Sequence, residues 1–125
     1  LLRPFFMFGR NQKEDMLITR LINNIKKNKV IQIQGSEGIK LNPIYVYDAA
    51  GILKNIITNE LSGVYNIAGR EVVSLKKLCI KIGEKLNIAP LFECVDKAEN
   101  NILGDISKTK FGEYTELDSS IEKFI

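Results

Sequence analysis

Apolar residues recur along the chain with two different periods, and the points where the period changes divide it into helices and strands. Leu17, Ile18, Leu21, Ile22 and Ile25 fall at i, i+1, i+4, i+5 and i+8, the stripe of one helix face, and predict a helix over 14–28. Val30-Ile31-Gln32-Ile33-Gln34 then alternates and is rich in β-branched residues, so it reads as a strand with one buried face. Gly35-Ser36-Glu37-Gly38 follows as a hairpin turn. After Pro43, the run 44–47 predicts a second short strand leading into Asp48. That carboxylate is placed to accept hydrogen bonds from the free amides of a helix over 48–59, which would bury Ile52, Leu53, Ile56 and Ile57.

The second half repeats the strand-then-helix order. Gly63-Val64-Tyr65-Asn66-Ile67-Ala68-Gly69 is a strand bracketed by glycines, and Ser74 is an N-cap for the stripe Leu75, Leu78, Cys79, Ile82 and Leu86 over 74–86. Asn87 or the approach to Pro90 ends that helix. Residues 91–95 read as a strand and 96–101 as a polar turn. Ser107 is a cap for one turn ending at Gly112, and Thr115 with Asp118 resembles a capping box for a helix over 115–124 burying Leu117, Ile121 and Phe124. The opening Leu1-Leu2-Arg3-Pro4-Phe5-Phe6-Met7-Phe8 reads as a buried strand. Pro4 and Arg10 spoil it as a signal-peptide core. Short strands alternating with about four helices predict an α/β fold, a single domain over 1–125.

Composition narrows this picture in a few places. With 125 residues, 45% of them apolar and only three prolines, there is material for one core. No apolar run approaches the roughly 20 residues of a membrane-spanning helix. The initial Leu suggests that the chain begins inside a longer polypeptide. Cys79 and Cys94 lack the close spacing of a metal site and the chain has no histidine, so no metal is expected. Both are expected to be buried thiols of a cytoplasmic protein. The net charge of +3 is too small to argue for nucleic acid, and Lys26, Lys27 and Lys29 read as a solvated helix end.

Four segments, in order, resemble the second half of an extended short-chain dehydrogenase/reductase, the NAD-dependent epimerase/dehydratase family. Leu2-Arg3-Pro4-Phe5-Phe6-Met7-Phe8-Gly9 is similar to its L-R-x-x-N-x-x-G strand. Asn42-Pro43-Ile44-Tyr45-Val46-Tyr47-Asp48-Ala49-Ala50 resembles its Tyr-Val-x-Asp strand-to-helix step. Gly63 to Gly69, with Val73-Ser74-Leu75 after it, resembles its Y-N-I-G-G strand and serine-capped helix. Gly104-Asp105-Ile106-Ser107-Lys108-Thr109-Lys110-Phe111-Gly112 is similar to its D-x-S-K-x-x-x-L-G element. Each segment also has a structural reading as caps, turns and strand faces.

The resemblance implies the C-terminal, substrate-side lobe of such an enzyme, without the N-terminal Rossmann half. Backbone near Pro4, Phe5 and Met7 is then expected beside NAD or NADP, and Asn42 beside a nucleotide-sugar-like substrate. No catalytic residue is expected here: none of Tyr45, Tyr47, Tyr65 and Tyr114 has Lys four positions later, and no Gly-rich turn opens a helix. The chain alone is therefore expected to hold no cofactor. Phe6 and Leu41 stand where many family members carry Asn and Arg, and an apolar residue cannot neutralise a phosphate. Arg3, inside an apolar strand, is expected to be a paired structural charge. The alternative is a non-catalytic binding or scaffold domain of the same fold. The apolar opening strand, left uncovered, implies self-association.

Overall fold

The computed structural model describes residues 1–96 and 100–125, so part of the polar turn expected over 96–101 lies outside the described residues. The elements run β1 (Leu2–Pro4), β2 (Met7–Phe8), α1 (Leu17–Lys26), β3 (Val30–Gln34), β4 (Lys40–Leu41), β5 (Ile44–Tyr45), α2 (Val46–Thr58), β6 (Tyr65–Ile67), β7 (Val73–Ser74), α3 (Leu75–Leu86), β8 (Leu91–Val95) and α4 (Leu117–Phe124). The α/β class and the four helices follow the apolar periods. The strands join in pairs: β1 with β6, β2 with β5 and β3 with β8 are parallel, and β4 with β7 is antiparallel.

Two apolar clusters organise the molecule. The larger gathers Ile18, Leu21, Ile22 and Ile25 of α1, Ile31 and Ile33 of β3, Leu78, Cys79 and Ile82 of α3, and Leu117 and Ile121 of α4. These are the stripe residues, and α1 packs on α3 and α3 on α4 through them. The alternation of β3 puts Ile31 and Ile33 inward and leaves Val30 and Gln32 exposed. A smaller cluster joins Ile44, Ala49, Ile52, Ile56 and Ile67, between α2 and the strands β5 and β6.

Helix ends differ from the sequence expectation where tertiary partners replace local caps. Helix α1 starts at Leu17 after Met16, without a side-chain cap, and the chain leaves it through Asn28 in the left-handed region (φ 53°). Helix α3 keeps its predicted ends. Ser74 Oγ accepts from Lys77 N at 3.2 Å, and Asn87 (φ 56°) closes the C-terminus. Helix α2 starts at Val46, so Asp48 lies in its first turn and is no cap. Helix α4 starts at Leu117 without the expected capping box, because Thr115 is held by Asp48 instead. At the turn before Gly112, Asp105 and not Ser107 is the acceptor: Ser107 N donates to Asp105 Oδ1 at 2.9 Å.

Five further expectations are corrected. Gly35 to Gly38 is a turn closed by Gly38 N to Gln34 O, 3.0 Å, but it makes no hairpin, since β3 pairs with β8 and β4 with β7. Cys94 is exposed although its register partner in β3 is the buried Ile33, while Cys79 is buried. Helix α2 buries Ile52 and Ile56 but not Leu53 or Ile57. The opening segment is no continuous buried strand. Residues Leu2–Pro4 are exposed throughout, Phe6 turns the chain at φ 46°, and only Phe8 beyond it enters the core. Arg3 is likewise exposed and, among the described residues, makes no ion pair.

Candidate functional site

In sheets of parallel strands, ligand clefts open at the carboxyl ends of the strands. Here the carboxyl ends of β1 and β6 lead into Phe5-Phe6 and Ala68-Gly69, and both meet the loop Asn42-Pro43 and Gly104. Phe5 N donates to Ile67 O at 2.9 Å, which carries the β1–β6 ladder one residue further. Gly104 lies against them: a Cβ there would come within 2.6 Å of Ala68 Cβ and 2.8 Å of the Phe5 ring. Gly69 is required for a similar reason, because a Cβ would collide with the carbonyl oxygen of Pro43.

Asn42 ties this end of the molecule together. Its Nδ2 donates to Gly69 O (3.1 Å) and Gly104 O (2.8 Å), its Oδ1 accepts from Gly104 N (2.9 Å), and its own carbonyl accepts from Gly69 N (2.9 Å). Both amide hydrogens are thus committed to backbone, and the residue is 4% exposed. A carboxylate could not replace it, since it cannot donate. What the Asn42 side chain does in this structure is fix a loop, leaving the loop's outer surface as the part that can meet a ligand.

The sequence-named residues do not converge on one cavity. Pro4 and Met7 line an apolar groove of about 250 Å³ with Leu2, Val46, Ala49 and Leu53. Phe5 is turned to Gly104, and Asn42 is in the clasp. Leu41, beside it, is fully buried (0% exposed) in the larger cluster, and Phe6 packs on the same cluster.

A second, polar cavity of about 210 Å³ lies between Pro43, Tyr45, Arg70, Glu71, Tyr114 and Thr115. Asp48 Oδ2 and Oδ1 accept from Thr115 N and Oγ1, each at 2.8 Å. Glu71 Oε2 accepts from Leu117 N, at the uncapped start of α4. The Arg70 guanidinium sits 5.0 Å from the centre of the Tyr114 ring, and the Tyr114 hydroxyl donates to Thr109 O at 3.2 Å. Most of the polar groups are already paired with one another, so the cavity anchors α4. Its volume is below the roughly 300 Å³ at which small-molecule pockets begin. Sequence reasoning missed Arg70, Glu71 and Tyr114. Glu71 meets Leu117 46 positions further on, and Arg70 meets the Tyr114 ring across the same stretch of chain; no local motif announces such contacts.

Burial pushes the Cys79 thiol up to about 12, and it lies in the core, away from any cleft. The backbone and side-chain hydrogen bonds from Ser107 hold the Asp105 carboxyl below its usual range. Among the described residues no group of His, Cys, Asp and Glu is arranged to hold a metal. Among the described residues no helix is long and apolar enough to cross a membrane.

No protein-family model and no curated protein sequence matches the chain. Solved structures do. UDP-glucuronic acid 4-epimerase from Bacillus cereus, solved with UDP-glucuronic acid and NAD, matches with a TM-score of 0.77 and 21% identity over 98% of this chain and 42% of its own. UDP-glucose 4-epimerase from Thermus thermophilus with NAD gives 0.79 and 15%, over 98% and 44%. The dTDP-glucose 4,6-dehydratase from Bacillus anthracis with NAD gives 0.79 and 18%, over 98% and 42%. The chain therefore has the fold of part of an NAD-dependent epimerase/dehydratase, in agreement with the resemblance carried by its four segments. It spans about two-fifths of the length of these structures.

Proposed function

We propose that the chain is the C-terminal, substrate-side lobe of an NAD(P)-dependent nucleotide-sugar epimerase, dehydratase or related reductase, and that it acts with a nucleotide-binding half carried on the same polypeptide. The observation that supports this reading most is the match over 98% of this chain to enzymes of which it fills only 42%. In it, the backbone of Pro4, Phe5 and Met7, at the carboxyl end of β1, runs beside the nicotinamide cofactor, and the loop fixed by Asn42 borders the nucleotide-sugar.

The chain's own residues do not build a pyrophosphate site. Such a site needs a Gly-rich turn between a strand and the start of a helix, and the turn from Gly35 to Gly38 joins β3 to β4. Nor does any tyrosine of the sequence have Lys four positions later. On this reading the lobe positions the sugar and closes over it, and contributes no step of the chemistry.

Calorimetric titration of the chain with NAD and with UDP-glucose tests this division of labour. The expected result is no NAD binding at micromolar concentrations. Micromolar affinity would show that the cofactor site lies within these residues and sink the proposal. The sequence preceding Leu1 in the gene is the companion test: a Gly-x-x-Gly-x-x-Gly element and a Tyr-x-x-x-Lys within roughly 150 to 200 residues, a normal domain length, are expected. A second reading, a non-catalytic binding or scaffold domain, draws its support from Leu41. Buried in the core, it offers no charge to a diphosphate. Absence of both upstream elements would favour it.

A further inference from the structure

The loop that leaves β2 folds back against the far end of α4. Arg10 Nε donates to the carbonyl oxygen of Lys123 at 3.1 Å, and Asn11 turns the chain in the left-handed region at φ 64°. Beside them lies a cavity of about 440 Å³, lined by Arg10, Asn11, Tyr45, Val46, Tyr47 and Lys123. That volume is within the roughly 300–1,000 Å³ of small-molecule sites. The cavity shares no residue with the clasp at Asn42, nor with Pro4, Phe5 and Met7.

The charges of this cavity have one sign. Arg10 and Lys123 bring two cations, no carboxylate lines the walls, and among the described residues neither cation forms an ion pair. The bond from Arg10 Nε to the Lys123 carbonyl fixes the guanidinium and leaves the N–H groups of its two terminal nitrogens to a ligand. Val46 and Tyr47 are the first two residues of α2, a helix of 13 residues whose start has no side-chain cap, so the positive end of its dipole also falls here. Asp48, in the same turn, would oppose an anion. Its carboxylate is taken up by Thr115 N and Oγ1, each at 2.8 Å, in the neighbouring polar cavity.

Tyr45 stands in the wall between the two cavities. It is 7% exposed, its ring is held at 5.7 Å from that of Phe8 and at 5.3 Å, edge-on, from that of Tyr47, and among the described residues its hydroxyl has no hydrogen-bond partner. Nor is that hydroxyl sealed in the core: the buried side-chain oxygen left unpaired among the described residues is Gln34 Oε1. Tyrosines so deeply buried ordinarily bond their hydroxyl, and a rigid one that bonds nothing of the protein is a donor left for a ligand. Tyr47, 74% exposed, adds a flat apolar flank.

We propose that this cavity binds a small organic phosphate monoester, with the phosphate between Arg10, Lys123 and the start of α2 and the organic part along the Tyr47 ring. Two unpaired cations match a monoester, which carries a charge of about −1.5 to −2 at pH 7 and three acceptor oxygens. A carboxylate or a phosphodiester carries one charge and leaves a cation unanswered. The planar fork of Arg10 fits two phosphate oxygens at once. This site is separate from the nucleotide-sugar of the proposed function, since UDP-glucose has two singly charged phosphates and no monoester group.

Calorimetric titration of the complete product of the gene with phenyl phosphate tests the proposal. One site per chain is expected, half-saturated at or below about 1 mM. Arg10→Gln should weaken binding about tenfold, through loss of a charge-assisted bidentate contact. Arg10→Lys keeps the charge and loses the fork, and Tyr45→Phe keeps the ring and loses the hydroxyl, so each should weaken binding about threefold or more. Lys26→Gln, on the exposed end of α1, should change nothing. Diphenyl phosphate, a monoanion, should bind about fivefold more weakly or worse. No saturation by about 10 mM, equal affinity for the diester, or an equal loss in Lys26→Gln overturns the proposal. Displacement of phenyl phosphate by UDP-glucose also overturns it, because the anion then sits in the nucleotide-sugar cleft. A gene product that binds phenyl phosphate as expected but neither NAD nor UDP-glucose keeps this site and sinks the enzymatic reading alone.

Discussion

The two apolar clusters are built from the same kinds of residue and end in different states. Around α1, β3, α3 and α4 every stripe closes on another: Ile18, Leu21, Ile22 and Ile25 meet Leu78, Cys79 and Ile82, and these meet Leu117 and Ile121. Around α2 the inner stripe is covered and its neighbour is open. A closed cluster carries the stability of the chain as it stands, because each side chain has already exchanged water for protein. The covered inner stripe of α2 contributes in the same way, while the open stripe beside it contributes little. The first region reads as a finished core and the second as a face left open.

The comparison breaks most sharply under truncation. Ile82→Ala, at a position with 0% exposure, should destabilise the chain by roughly 2–5 kcal/mol, the cost of lost transfer energy plus a residual cavity. Leu53→Ala should stay within about 0.5 kcal/mol, the range of surface changes. Urea denaturation with unchanged slope measures both. Equal losses at the two sites would mean that α2 is as fully packed as α3.

The clasp comes next in size. Asn42→Ala leaves Gly69 O, Gly104 O and Gly104 N without their partner, and each orphaned buried group costs roughly 1–3 kcal/mol where water cannot reach it. A loss of at least about 2 kcal/mol is expected by the same measurement, because Asn42 joins three segments. A loss below about 0.5 kcal/mol would show that solvent enters the clasp and that the loop is not fixed by this side chain.

The closed core also has a pH signature. The Cys79 thiol is pushed from 9.0 to about 12 by burial, so above pH 9 the unfolded chain releases a proton that the folded chain keeps. The folded state then binds more protons, and stability must fall as pH rises from about 9 towards 12. Cys79→Ser or Cys79→Ala should flatten that part of the curve. At neutral pH in the native state, one thiol, that of exposed Cys94, should react with a disulfide reagent, and the second should react only on unfolding.

What could be read from the residues was what depends on neighbours in sequence. The stripes of α1 and α3, the alternation of β3 and the cap at Ser74 all follow from local spacing, and the structure has them. The misreadings share one cause. Asp48 and Thr115 carry good capping chemistry, but a partner 67 positions away satisfied it better than the nearest amides. Leu53 and Ile57 fit a helical stripe, and spacing cannot say whether a face is covered. Strand pairing between β3 and β8, which makes the turn at Gly35 something other than a hairpin, is likewise invisible to a local pattern. For the site, position came from motif resemblance, while the closed hydrogen-bond set of Asn42 and the anchoring contacts of Glu71 and Arg70 needed coordinates.

The smallest effect lies at the edge of the closed region, where α4 meets α3. Lys81 Nζ is 3.0 Å from Asp118 Oδ1 and Lys85 Nζ is 3.5 Å from Glu122 Oε2, on side chains that keep between 29% and 72% of their exposure. Ion pairs so exposed are worth roughly 0.2–1 kcal/mol, since solvent screens the attraction and two long side chains must be ordered to make it. Ile121 and Leu117, beneath them, hold α4 by burial. A double-mutant cycle on Lys81→Ala and Asp118→Ala should therefore give a coupling below about 1 kcal/mol that fades in 1 M salt, where the screening length falls to about 3 Å. Coupling well above 2 kcal/mol, or coupling indifferent to salt, would mean that charge and not apolar burial fastens this helix, and the contrast between a closed core and an open face would lose one of its sides.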